Sequence, residues 1–198
     1  DGAIGPPLER IVDLEPERET VLTSIGFVLD PEAMLQLEEQ RPGKLVVRLK
    51  DGEEIVAEQS VTVQLLAANQ WLARPLSLGL EILAAFVMPN HPAITALMSD
   101  VADHLGKTTG SPSLQGYQAG PERADAIVAA VWTVMHSRGI RYSEPPASWA
   151  DVGQKIRTPA EVLEGRIGTC LDTLVVMAAA LEQAGIRPQL WLVDGHAF

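Results

Sequence analysis

The chain holds a single cysteine, Cys170, in the stretch GTCLDTLVVMAAALEQAG that runs from Gly168 to Gly185. Further along, DGHAF carries a histidine, His196. Two readings compete for this pair. A lone cysteine at an apolar helix is ordinarily a small hydrophobe in a core. A cysteine that meets a histidine is instead a nucleophile with a base to take its proton. Gly168 frees the backbone for a tight turn, Thr169 can cap a helix, and Cys170 then becomes the first helical residue. Unpaired N–H groups and the positive end of the helix dipole favour a thiolate at that position, so the spacing predicts a lowered thiol pKa. The same N–H groups can donate to an oxyanion forming on a substrate carbonyl.

These residues need elements to hold them. Leu171, Leu174, Val175, Ala178 and Leu181 make the cysteine helix apolar nearly all round, which predicts a buried central helix ending at Gly185. Gln189 to Val193 (QLWLV) reads as a buried strand and Asp194-Gly195 as a hairpin turn, so His196 opens the returning strand. Upstream, Thr158-Pro159-Ala160-Glu161 predicts a short helix by Gly165, with Thr158 as cap, Pro159 at the first position and Glu161 closing a capping box.

The rest of the chain divides by periodicity. Up to about Leu72 it reads as strands. Val21 to Leu29 is one, and Lys44 to Lys50 places Leu45, Val47 and Leu49 on one face. Asp51-Gly52 is a turn pair, after which Ile55, Ala57, Val61, Val63 and Leu65 resume the alternation. Pro31 to Gln40 is open between a short helix and a further strand. An antiparallel, Ig-like β-sandwich over residues 1–72 is expected. From Leu76 the period becomes helical. Leu78 to Val87 is apolar enough to be buried all round. Asn90-His91-Pro92 starts a helix to about Leu105, with Ile94, Leu97, Met98, Val101 and Leu105 on one stripe. Pro121 opens another, lined by Ile127, Val128, Val131, Val134 and Met135 and ended by Gly139. Gly106 to Gly120 reads as a loop, and Tyr142 to Trp149 as extended chain. The class expected is α+β, with a second domain over residues 73–198.

Composition excludes several functions. The 198 residues are 46% hydrophobic, ample for a core, and their net charge of −11 argues against a grip on a phosphate backbone, so no direct nucleic-acid binding is expected. No apolar run approaches the roughly 18 residues of a membrane span, so no membrane partner is expected. One cysteine excludes an intrachain disulfide framework and a Cys-rich zinc site, and fits a reducing cytoplasm. Asp100, Asp103 and His104 share adjacent helix turns but lack a second cluster, so no metal and no cofactor are expected. His91 and His136 read as capping or surface residues, Trp132 and Trp191 as core. Asp172 reads as a helix-start acid interacting with the dipole or with Arg166. The opening DGAIGPP has neither an initiator Met nor a signal-peptide pattern, which suggests a piece of a longer protein.

RIGTCLDTLVVMAAALEQAGIRPQLWLVDGHAF looks like the core of the transglutaminase-like superfamily, a branch of the papain-like cysteine enzymes. The shared features are Gly-x-Cys-x-Asp before a buried helix, then Gly-Ile and a strand, then His with a following aromatic. LLAANQW, ILAAFVMPNHPA and PPASWADVGQKIR extend a closer likeness, over roughly residues 65 to 198, to the N-terminal region of very large bacterial proteins that carry helicase-like ATPase domains. The resemblance implies a transglutaminase-like domain over residues 73–198, truncated at its C-terminus. It implies Cys170 as nucleophile and His196 as general base, with the acid that orients the imidazole one strand beyond the chain. Gln154 and, second, Trp149 become the side-chain candidates for an oxyanion hole. The expected partners are a peptide or protein substrate and the ATPase domains of the parent.

Three functions follow. The first is attack by Cys170 on a glutamine side chain or a peptide bond through a thioester, with hydrolysis ahead of cross-linking. The second is a module that keeps the fold and binds a peptide or partner without turnover. The third is a regulatory piece of a helicase-like ATPase. Lacking the third triad member, this 198-residue piece is expected to be nearly inactive.

Overall fold

The computed structural model describes residues 4–23, 25–145, 152–193 and 196–198. The class is α+β. The chain separates into two compact units, Asp1–Asn69 and Gln70–Phe198.

In the first unit a short helix, α1 (Pro31–Leu35), resolves the open stretch after Pro31. It is capped by Asp30, whose carboxylate accepts from the N–H of Glu32 at 2.9 Å and of Ala33 at 3.3 Å. Two long strands follow, β1 (Arg41–Asp51) and β2 (Glu54–Leu65), paired antiparallel with Leu45 opposite Val61 and Leu49 opposite Ala57. Gly52 supplies the positive φ, 59°, at the turn between them. The expected sandwich is not found among the described residues. Ile55 to Leu65 lies in one strand, β2, and Val21 to Leu29 forms no strand in its described part. The period-two face is real, but Leu45, Val47 and Leu49 are 43%, 61% and 39% exposed. Alternation fixes which residues share a face of a ribbon. It does not supply the second sheet that would cover them.

The second unit is helical with short strand pairs. α2 (Leu76–Leu83) comes first, then α3 (Pro92–Thr109), α4 (Pro121–Ser137), α5 (Pro159–Leu163) and α6 (Cys170–Gln183). α3 buries the stripe its sequence predicts, Ile94, Leu97, Met98, Val101 and Leu105, against Ile127 and Val131 of α4 and Val176 and Ala179 of α6. His91 caps α3 by accepting from the N–H of Ala93 at 3.1 Å. An ion pair between Asp100 and Arg138 joins α3 to the end of α4. α3 runs four residues beyond Leu105, so the loop expected from Gly106 starts later, at Gly110 in its left-handed conformation. No helix among the described residues is long and apolar enough to cross a membrane.

Two apolar segments and one tryptophan are less covered than the sequence predicts. In α2 only Gly79 and Leu83 are buried, while Leu76, Leu78, Leu80 and Ile82 stay exposed. Trp132 lies on the outer face of α4, stacked on His136 with ring centroids 5.0 Å apart. Trp191 is exposed too, so the QLWLV stretch is no buried strand. The strand within it is β7 (Leu192–Val193), paired antiparallel with β8 (His196–Ala197).

Candidate functional site

Cys170 opens α6, and the residues before it are arranged to hold it there. Thr169 is the cap: its hydroxyl accepts from the N–H of Asp172 at 3.2 Å, and the Asp172 carboxylate accepts from the N–H of Thr169 at 2.8 Å. This reciprocal pair satisfies the third N–H of the helix. The first two, on Cys170 and Leu171, occupy positions with no acceptor inside a helix. Asp172 is fully buried and its partner is Arg157 rather than Arg166. The backbone N–H of Arg157 donates to it at 2.8 Å and the guanidinium at 2.7 Å. A buried carboxylate needs such donors, because an unpaired one would be strongly disfavoured.

Two short strand pairs bring further groups to the helix start. β3 (Gln70–Trp71) pairs antiparallel with β5 (Gln154–Lys155), setting Trp71 opposite Gln154. Gly153 makes this approach possible. Its φ is 85°, and a Cβ there would stand 2.7 Å from the Trp71 carbonyl oxygen. Gln154 is buried, and its amide nitrogen donates to the Thr169 hydroxyl at 2.8 Å. Trp71 is buried as well, and its indole N–H donates to the Gly79 carbonyl at 2.7 Å. β4 (Arg141–Tyr142) runs parallel to β6 (Ile167–Gly168), with Tyr142 opposite Gly168. The N–H groups of Arg141 and Ser143 bond the carbonyls of Arg166 and Gly168, each at 2.9 Å.

Cys170, His196, Gln154 and Tyr142 all line one cavity of about 330 Å³, walled mainly by Trp71, Leu76, Leu171 and Leu192. Cys170 is partly buried. Beneath it a small core of Trp71, Leu83, Ile156, Leu171, Val175 and Ala197 supports the cavity floor. His196 reaches the cavity through the β7–β8 register, which pairs it with Val193 and ties Trp191 to Phe198 through two backbone hydrogen bonds. Asp194, Gly195 and Trp149 lie outside the described residues, so the expected turn and the second oxyanion candidate are not placed. Among the described residues the imidazole has the Phe198 ring beside it, centroids 6.2 Å apart, and no carboxylate bonded to it.

The sequence points to Cys170, His196, Gln154 and Trp149 but not to Tyr142. Its phenol is pushed up from the ordinary 10.0, first by desolvation, then by the negative charges of Cys170 and Glu144, and by donating a hydrogen bond to Cys170. The residue is 64% exposed, so the desolvation is confined to the part that lines the cavity and solvent screens the charges. The only sequence signal for it was an extended segment after Gly139. Nothing in the spacing shows that this segment runs alongside Gly168.

Comparison with protein-family models, curated proteins and solved structures finds no match to this chain.

Proposed function

We propose that this chain is a cysteine-dependent acyl-transfer enzyme that hydrolyses an amide bond, of the transglutaminase-like kind within the papain-like group. The observation that carries this reading is the convergence of Cys170, His196 and Gln154 on one cavity from α6, β8 and β5. Cys170 attacks the substrate carbonyl carbon while His196 holds the thiol's proton. The carbonyl oxygen becomes an oxyanion, for which the first N–H groups of α6 and the second amide N–H of Gln154 serve as donors. As the C–N bond breaks, the imidazolium gives its proton to the leaving amine and a thioester remains. Water then attacks the thioester, His196 takes its proton, and the acid departs as the thiol is restored. The likeness over residues 65–198 supports placing this chemistry in the cytoplasm, within a larger bacterial protein that carries helicase-like ATPase domains.

A second reading, a module that binds a peptide without turnover, is favoured by the lack of a carboxylate on His196 among the described residues. Incubating the protein with a library of fluorogenic peptide amides separates the two. The enzyme reading expects amine release that is slow in this 198-residue piece and disappears in Cys170→Ala. Peptide retention without release, unchanged in Cys170→Ala, would establish the binding module instead.

A further inference from the structure

The wall of the cavity beside Cys170 limits what can enter it. Trp71, Leu76, Leu171, Leu192 and Val193 present carbon, and no Lys, Arg, Asp or Glu side chain lines it among the described residues. The one buried polar side chain on the wall, Gln154, already has an amide N–H committed to Thr169. A charged group entering here would shed water against a carbon wall, where His196 is the one acid–base side chain besides Cys170 and Tyr142 among the described lining residues, whereas an apolar group gains by leaving water. The volume of about 330 Å³ lies at the small end of ligand pockets. It suits one large side chain next to the reacting carbonyl rather than several residues.

We infer that the acyl donor presents a single aromatic or branched aliphatic side chain to this cavity, so that the bond attacked follows an apolar residue. This rests on the reading of Cys170 as nucleophile, and it decides between the two donors that reading leaves open. A glutamine side chain would bring only two methylenes to the apolar wall beside its reacting carboxamide. A backbone amide after an apolar residue fits the wall directly.

The test uses alkylation of Cys170, which needs no turnover. The intact 198-residue protein is treated with N-benzyl-iodoacetamide or N-(2-hydroxyethyl)iodoacetamide, and each rate is divided by that of glutathione. The benzyl reagent should win by about tenfold or more, the low end of what burying one large apolar side chain contributes. Its rate should saturate with concentration, and N-benzylacetamide should protect the thiol. Leu192→Asn, at a partly exposed position of β7, should erase most of the preference. Should that variant not fold, protection by N-benzylacetamide in the unaltered protein carries the test. Equal normalised rates, or no protection, would overturn the inference. The two claims fail separately. Alkylation selectivity without amide turnover keeps the apolar cavity and removes the enzyme. Cys170-dependent turnover indifferent to side-chain polarity keeps the enzyme and removes the apolar donor.

Discussion

Asp172 holds the cysteine in place although it never reaches the cavity. Its buried carboxylate takes the N–H of Thr169, the N–H of Arg157 and the Arg157 guanidinium, and Thr169 in turn holds Gln154. Asp172→Asn should cost about 2 kcal/mol, below the usual range for a broken buried pair because the Arg157 side chain is one third exposed and its charge can reach water. Urea denaturation would read this as a lower midpoint at unchanged slope. Tyr142 gives a second prediction. Its raised pKa means that the folded state favours the neutral phenol. That contribution is complete below the unfolded value and is lost as pH rises through the folded one. In a Tyr117→Phe background the remaining phenolate absorbance should therefore appear above pH 10.0. Cys170→Ser should move it part of the way down, since desolvation remains. A titration curve identical in the two proteins would remove the Tyr142–Cys170 contact. Of these residues, Cys170 and His196 were singled out by type and spacing, and Gln154 by the family resemblance alone. Arg157 and Tyr142 were not, because their roles arise from pairings that no local pattern encodes.

At the scale of elements, caps and stripes were the legible features. The capping box expected of Thr158 and Glu161 forms, and Thr169, expected as a cap, makes a second box with Asp172, because each needs only residues three apart. The α3 stripe is buried as its period requires. Hydrophobicity alone misled where coverage depends on distant chain. α2 is as apolar as a core helix, yet it touches the rest of its unit mainly through Gly79 and Leu83. Gly79 is where that contact is tightest. A Cβ would stand 2.8 Å from the Leu72 carbonyl oxygen and 2.9 Å from Ala73, both backbone, so neither can swing aside. Gly79→Ala should cost about 1–3 kcal/mol as an overpacked site. It should also disturb the Trp71 indole that bonds the Gly79 carbonyl, visible as a shift in tryptophan fluorescence. A stability and spectrum unchanged by the substitution would show that α2 can slide without moving the cavity wall.

At the scale of the whole molecule, every residue of the cavity belongs to the unit Gln70–Phe198. Residues 70–198 expressed alone should therefore keep the alkylation preference of Cys170 within about twofold, since the apolar surface that sets it is unchanged. Its loss on removing residues 1–69 would mean that the hairpin unit helps to form the site. That unit shows the limit of sequence reading at this scale. The alternation of Leu45, Val47 and Leu49 marks a face, and the face is exposed. The central claim is that Cys170 attacks a carbonyl with His196 as its base, and trapping the thioester tests it most directly. Wild-type protein, Cys170→Ala and His196→Gln would be mixed with a p-nitrophenyl ester of an apolar acyl group, and the adduct followed by intact mass and peptide mapping. The account predicts an acyl group on Cys170, none in Cys170→Ala, and acylation slowed by about a hundredfold or more in His196→Gln. Acylation of His196→Gln at the wild-type rate, or an adduct that maps elsewhere, would contradict it.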